Sequence, residues 1–248
     1  MDRHKDAARL LLSARRDPSQ RLLAFPEVIA PATMEQAVLI QREVMAELGE
    51  IGGWKVGSPS PTGTCNCSPM PRSGIVASPA VVGDAPMRGV EAEIAVLMGR
   101  DLPPREALYG REEVLAAIAS AHPAIEVLQS RFAEPDGVDA LSNLADSLSH
   151  GGFVHGAAVA GWGEVDLAEE EVAVVVDGVE VKRRRGNPAG EMVRLIVWLA
   201  NEGARWAGGL RAGQWVTTGS WTGKDFAPAG GRVEMQFGRM GAAAVRFA

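Results

Sequence analysis

Two glutamates, Glu91 and Glu93, stand two residues apart among Val90, Ala92, Ile94, Val96 and Leu97, a run that reads as a β-strand. A strand repeats every two residues, so both carboxylates leave the same face, whereas on a helix they would diverge. The apolar neighbours imply that both faces are covered, and two carboxylates in such a place repel each other and lose hydration. They call for a cation. A third carboxylate, Glu126, sits inside PAIEVL, a short apolar run that ordinarily excludes charge. Three strand carboxylates without His or Cys companions suit a hard, oxygen-seeking ion such as Mg²⁺ or Mn²⁺ rather than zinc. The alternative is structural: Glu91 and Glu93 pair with Lys55 or Arg100 on a half-exposed strand, an arrangement that imitates a site.

Two further groups of residues could bear on chemistry. Lys55 lies in GGWKVG, a cation in a strand-like run whose glycines allow close backbone approach. The run VTTGSWTG, residues 216–223, groups Thr217, Thr218, Ser220 and Thr222 around Gly219 and Gly223. It offers hydroxyls and free N–H groups to an anion such as a substrate carboxylate, or it is simply a turn between strands. It is not a phosphate-binding loop, because the spacing up to Lys224 is one residue short and Asp225 stands where Ser or Thr is needed.

The elements that must position these residues follow from periodicity. Residues 2–16 carry apolar positions at helical spacing, and Thr33 with Gln36 forms a capping-box pattern ahead of Ala37, Leu39, Ile40, Val44, Met45 and Leu48. Two helices therefore open the chain. After Gly52 and Gly53 the texture changes to short apolar runs broken by Gly and Pro, which read as strands. Further helices are expected over residues 111–121 and 188–202, the latter capped by Asn187 with Pro188 at its first position. Asp177-Gly178 marks a hairpin. No linker or internal repeat divides the chain, so the expectation is one α+β domain over residues 1–248: a helical segment to residue 50, then a β-rich core over residues 51–248.

Composition removes several classes. A formal net charge of -6 argues against a nucleic-acid partner, whose phosphates are bound by clustered cations. The one dense basic run, Lys182–Arg185, reads as a solvated strand end. No stretch is long and apolar enough for a signal peptide or membrane span, so the expected location is cytoplasmic, with no membrane partner. Cys65 and Cys67, one residue apart, suit neither an ordinary disulfide nor a zinc site, and reduced loop thiols are expected.

The order of the pieces TMEQAVLIQREVM, GGWKVG, EAEIAVLMGRDL, PAIEVLQSRF, SHGGFVHG, NPAGEMVRLIVWLAN and LRAGQWVTTGSWTG resembles the hydratase and decarboxylase branch of the fumarylacetoacetate hydrolase superfamily over nearly the whole chain. The resemblance implies N-terminal helices packed on a mixed, strongly curved β core, and a homo-oligomer. It implies a small 2-oxo or 2-enol carboxylate as substrate, with Glu91, Glu93 and Glu126 as ligands of Mg²⁺ or Mn²⁺ and Lys55 as the active-site lysine. Ser149 and the loop Thr218, Gly219 and Ser220 take the substrate-contacting places. The reaction implied is hydration of a 2-hydroxydienoate to a 4-hydroxy-2-oxo acid, with decarboxylation of a 2-oxo-enedioate as the second reading and a repurposed 2-oxo-acid enzyme of the same fold as the third. A catalytically silent scaffold is the reading from another class, and the presence of all three carboxylates argues against it. The sequence departs from the branch at PRSG, where Arg72 replaces an acid and becomes the candidate contact for the substrate's far end. His150, beside Ser149, offers a titratable group in compensation, or is a hydrogen-bonded loop histidine.

Overall fold

The computed structural model describes residues 2–248; Met1 lies outside them. Helix α1 (Arg3–Arg16) is capped by Asp2, and α2 (Met34–Leu48) by Thr33, whose hydroxyl accepts from Gln36 N at 3.3 Å. The Gln36 side chain reaches one residue past the cap, accepting from Ala32 N at 2.8 Å. Leu11 and Leu12 of α1 and Ile40 and Val44 of α2 close over Phe132 and Leu144, forming a small core of their own.

Strands β1 (Ile51–Gly57), β2 (Asn66–Pro71), β3 (Ile75–Ala77), β4 (Ala80–Val82), β5 (Gly89–Met98), β6 (Ile118–Leu128), β7 (His150–His155), β8 (Glu171–Val176), β9 (Val179–Arg185), β10 (Trp215–Thr217), β11 (Asp225–Phe226), β12 (Arg232–Phe237) and β13 (Ala242–Phe247) form two sheets. The larger runs β2-β1-β10-β5-β6-β7-β3, with β11 beside β5; the smaller runs β4-β13-β12-β8-β9. Both are mixed: β1–β10, β3–β7 and β4–β13 are parallel and the remaining pairs antiparallel. Alternation assigns the faces of the large sheet. Trp54, Val56, Val216, Ala92, Ile94, Val96, Ile125 and Val154 point to the main core shared with Val233, Met235 and Val245 of the small sheet. The intervening residues Ala95, Ala124, Phe153, Trp215 and Met70 meet one another on the opposite face. Met70 and Phe153 come from strands far apart in the sheet order, so the sheet is rolled, and Lys55, Glu91, Glu93 and Glu126 share the inward parity.

Two helices are shorter than periodicity predicts. Helix α3 (Arg111–Ala117) stops four residues early because Ile118–Ala121 join the β5–β6 ladder, with Ser120 opposite Leu97. At the second, Asn187 Oδ1 accepts from Ala189 N in a tight turn and Gly190 has φ +82°, so the helix starts only at Met192. A side chain on Gly190 would also strike Pro61. After α4 (Ala140–Ala145), α5 (Met192–Trp198) continues into a wide turn over Leu199–Gly203, and its apolar residues pack into the chain's own core. The residues expected to form a helix over 188–202 are apolar nearly all round, a pattern that would suit a partner, and here they are used internally. Asp177 and Gly178 both have positive φ, 48° and 84°, as a tight hairpin turn requires. The basic run on β9 is exposed and laced to Glu169, Glu171 and Glu180, apart from the half-buried Lys182 on Asp225. Cys65 and Cys67 are unbonded and buried, Cys67 within β2 rather than a loop, where burial pushes its thiol up to about 12. No helix among the described residues is long and apolar enough to cross a membrane.

Candidate metal and active site

The β5–β6 register does most of the construction. Glu91 stands opposite Glu126 across the antiparallel ladder, and Glu93 follows two residues along the same face, opposite Ala124. A carboxylate oxygen from each lies within 4.8 Å of the others. Glu93 is 1% exposed and Glu126 0%, while Glu91 is half-buried.

Cations and donors are distributed unequally over this group. Lys55 Nζ donates to Glu126 Oε1 at 2.5 Å and to the Leu148 carbonyl at 3.1 Å. His150 Nδ1 is 3.1 Å from the same Glu126 oxygen, while Glu126 Oε2 is buried with no partner. Burial pushes the Glu126 carboxyl up, but Lys55 and His150 outweigh it and hold the group below the usual carboxylate range. Glu93 accepts from the Thr217 hydroxyl and from Gly219 N at 3.1 Å, yet burial, then the charges of Glu126 and Glu91, push it well above its ordinary value. Glu91 is pushed up to about 7, by burial first and Glu126 second, against the pull of Lys55 and Lys224. One lysine is too little positive charge for three carboxylates. An orphaned buried carboxylate oxygen and two destabilised neighbours, all hard oxygen donors, fit a divalent cation such as Mg²⁺ or Mn²⁺.

The Leu148 carbonyl is presented by an unusual backbone. Ser147, Leu148 and Ser149 are consecutive residues with φ of 54°, 54° and 63°. Left-handed conformation costs a non-glycine residue roughly 1–2 kcal/mol, so surrounding contacts must impose this turn. It carries Ser149, 3% exposed, whose hydroxyl donates weakly to Asn143 Oδ1 at 3.4 Å.

The remaining candidates divide. His150 joins the carboxylates, but burial depresses its basicity despite Glu126, and it lies at 1% exposure with Nε2 unpartnered. It is a neutral hydrogen-bond partner of Glu126. The loop after β10 serves the glutamates more than a ligand. Gly219 N is occupied by Glu93, the Thr218 hydroxyl donates to the Ile94 carbonyl at 2.8 Å, and the Ser220 hydroxyl donates to Gly223 O at 3.3 Å. Thr217, the last residue of β10, faces inward by its period-two position and its hydroxyl donates to Glu93, while Asn187 Nδ2 holds the loop by donating to Thr218 O at 3.0 Å. Arg72 is not brought to the site. Register places Ile51 opposite Pro71 but Lys55 opposite Ser68, so Arg72 sits about 13 Å along β1 from Lys55. There it pairs with Glu50 on the surface, at 2.8 Å.

A cavity of about 720 Å³ lies elsewhere, and no glutamate of the triad lines it. Ile94 and Thr218 form part of its wall together with Trp162, Leu115, Met192 and Trp221, on the side of β5 away from Glu93. The charged cluster, rather than this cavity, is the candidate site.

Comparisons with known proteins place the chain among its relatives. The 2-keto-4-pentenoate hydratase 1 of Dechloromonas aromatica (strain RCB) is 26% identical over 257 residues, covering 98% of this chain and 97% of that protein. The 4-oxalocrotonate decarboxylase of Pseudomonas putida is 28% identical over 159 residues, covering 64% and 59%. Among solved structures, the 4-oxalocrotonate decarboxylase from Pseudomonas putida G7, complexed with magnesium and adipate, superposes with a TM-score of 0.83 at 24% identity, over 99% of this chain and 97% of that one. The family model described as fumarylacetoacetate (FAA) hydrolase C-terminal matches residues 70–248, and the chain belongs to that family.

Proposed function

We propose that this protein is a divalent-metal-dependent lyase that converts a 2-hydroxydienoate into a 4-hydroxy-2-oxo acid by addition of water, with Glu91, Glu93 and Glu126 holding Mg²⁺ or Mn²⁺. The observation that carries the reading is the convergence of three carboxylates on one inward face, one with a buried, unpartnered oxygen. Their resemblance in place to the hydratase branch and the similarity to a curated hydratase along nearly its full length support it. The ion that these glutamates would hold would supply Lewis-acid polarisation of the substrate's 2-oxo acid group.

The chain's own residues account for the rest. Three glutamates, Lys55 and one divalent ion sum to zero formal charge, so a substrate anion is not repelled by a net negative site. Lys55, 8% exposed and pinned between Glu126 and the Leu148 carbonyl, is a preorganised donor for the oxygen on which enolate charge develops. Ketonisation of the dienol moves a proton to its far carbon, and water then adds to the conjugated enone. Ser149, beside the lysine's carbonyl anchor and with its hydroxyl directed at Asn143 Oδ1 at 3.4 Å, takes a substrate-contacting place only by its resemblance to the branch. Thr217 and Gly219 keep Glu93 aimed inward.

Decarboxylation of a 2-oxo-enedioate is the second reading, favoured by the similarity to a curated 4-oxalocrotonate decarboxylase. The same donor at Lys55 would stabilise the enolate left as CO₂ departs. The protein is further inferred to work in the cytoplasm as a homo-oligomer. Val179 and Val181 on edge strand β9, and Phe226, leave apolar side chains exposed, and light scattering at micromolar concentration tests the assembly. For the reaction, a panel of 2-hydroxydienoates and 2-oxo-enedioates with Mn²⁺, followed by loss of ultraviolet absorbance, should show turnover that stops on chelation. Product mass separates water gained from CO₂ lost, and no turnover on either class would refute both readings.

A further inference from the structure

We propose that Arg131 and Asp146 are positioning residues for this reaction: they clamp the Ser147–Ser149 turn in the left-handed shape that puts the Leu148 carbonyl on Lys55. The proposal rests on the lyase reading above. Arg131 is 3% exposed and Asp146 2%. A buried ion pair needs only carboxylate contacts, but this guanidinium directs three of its four hydrogen bonds to main-chain carbonyls. Nη2 donates to Asp146 O, Nη1 to Gln129 O and, at 2.7 Å, to His150 O, while Nε donates to Asp146 Oδ1. Asp146 O and His150 O flank the turn on its two sides, and only the three left-handed residues separate them. One rigid fork therefore fixes both ends of a three-residue arc.

The rest of the surroundings complete the clamp. The second Asp146 oxygen accepts from Ser130 Oγ at 2.9 Å and from Arg131 N at 3.0 Å, tying the acid to the chain just past β6. Gln129 N donates to Ser149 O at 2.7 Å, and Ser149 N to Asp146 O at 3.1 Å. From α1, Arg15 Nη2 reaches the same His150 carbonyl at 3.0 Å, which gives the N-terminal helices a direct hold on the site. Lysine cannot replace this fork, since an ammonium is a point charge without the planar, divergent donors that span two carbonyls. Arg131 has no hydrogen bond to Glu91, Glu93 or Glu126, so the metal ligands stay in place when the clamp is weakened.

The test is Arg131→Lys, which keeps the charge and loses the fork. Because misplacement by about 1 Å can cost about 100-fold, kcat should fall by about that factor with KM within about threefold. Mn²⁺ affinity, read by electron paramagnetic resonance, should stay within about twofold. A crystal structure of the variant should show Leu148 out of the left-handed region and its carbonyl no longer on Lys55 Nζ. Adding Ser147→Gly, which makes left-handed geometry accessible without the clamp, should recover turnover at least about tenfold. If Arg131→Lys does not fold, Asp146→Asn, whose NH2 group would face the Ser130 hydroxyl and the Arg131 N–H and so loosens the hold on the fork, should show the same fall in kcat with the same unchanged Mn²⁺ affinity. A variant structure that keeps the turn and the Lys55 contact, or unchanged kcat per folded molecule, overturns the proposal, as does Mn²⁺ affinity falling in step with kcat. If the unmodified protein turns over neither substrate class, the lyase reading fails, and the variant's crystal structure still decides the clamp.

Discussion

Glu91 and Glu126 face each other directly across the β5–β6 ladder, although 35 positions separate them in the chain, and Glu93 joins them by simple alternation. Cross-strand neighbours of like charge destabilise a sheet, so this pairing holds best when something positive sits between them. Mn²⁺ soaked into crystals should therefore be found on these three carboxylates with oxygen-only protein ligands. Glu93→Gln keeps an acceptor for Thr217 and Gly219 while removing a charge that burial disfavours. It should weaken Mn²⁺ binding at least about 100-fold and abolish turnover, yet raise the melting temperature of the metal-free protein, with a gain on the order of 1 kcal/mol. A lower melting temperature would mean that Glu93 is a structural partner.

The metal-free protein should become less stable as pH rises from about 4.5 to about 7. Glu91 is raised to about 7 in the folded chain against an ordinary value of 4.5, so the folded state holds a proton that the unfolded state has released. Stability from this group is full below the unfolded value and is lost as pH climbs through the folded one. Glu93, also held well above its ordinary value by burial and by the charges of Glu126 and Glu91, adds to the trend. Thermal melts in chelator across pH 4.5–8 measure the slope, and saturating Mn²⁺ should reverse it, because the ion requires deprotonated ligands and releases protons on binding.

Replacing Lys55 with Met should separate chemistry from metal binding. The lysine's hydrogen bonds go to Glu126 and the Leu148 carbonyl. Its loss should lower kcat by roughly 30- to 1000-fold, the 2–4 kcal/mol typical of a preorganised donor. Mn²⁺ affinity should be unchanged or tighter, since a competing cation beside Glu126 is gone. Turnover within a few-fold of the unmodified enzyme would leave Lys55 a structural partner only.

His150 gives a different expectation, because it is shut behind Glu126 and touches the site only through that carboxylate. His150→Asn, which can still donate to Glu126, should keep kcat within about tenfold, while His150→Leu strands Glu126 with one donor fewer and costs about 1–3 kcal/mol of folding stability. Chemical melts and steady-state rates on both variants check this. Equal losses of kcat in the two, on equally stable proteins, would instead point to proton transfer by the ring.

Much of this molecule is written in short-range pattern. Period-two spacing alone puts Glu91 and Glu93 on one face, Thr33 and Gln36 start α2, and Asp177-Gly178 closes the β8–β9 hairpin, because each depends on backbone geometry within a few residues. The order of motifs along the chain was likewise enough to indicate the family. What the tertiary structure decided is everything set by register between distant strands. The β1–β2 register carries Arg72 away to Glu50, and the β1–β10 and β10–β5 pairings bring Thr217 rather than Thr218 to Glu93. The buried clamp of Arg131 and Asp146 leaves no local signature, since a charged residue in a sequence has no sign of which carbonyls it will meet. Helix ends behaved in the same way: residues 118–121 keep a helical pattern, but the ladder to β5 offers their backbone groups partners that a third helical turn could not match in the rolled sheet.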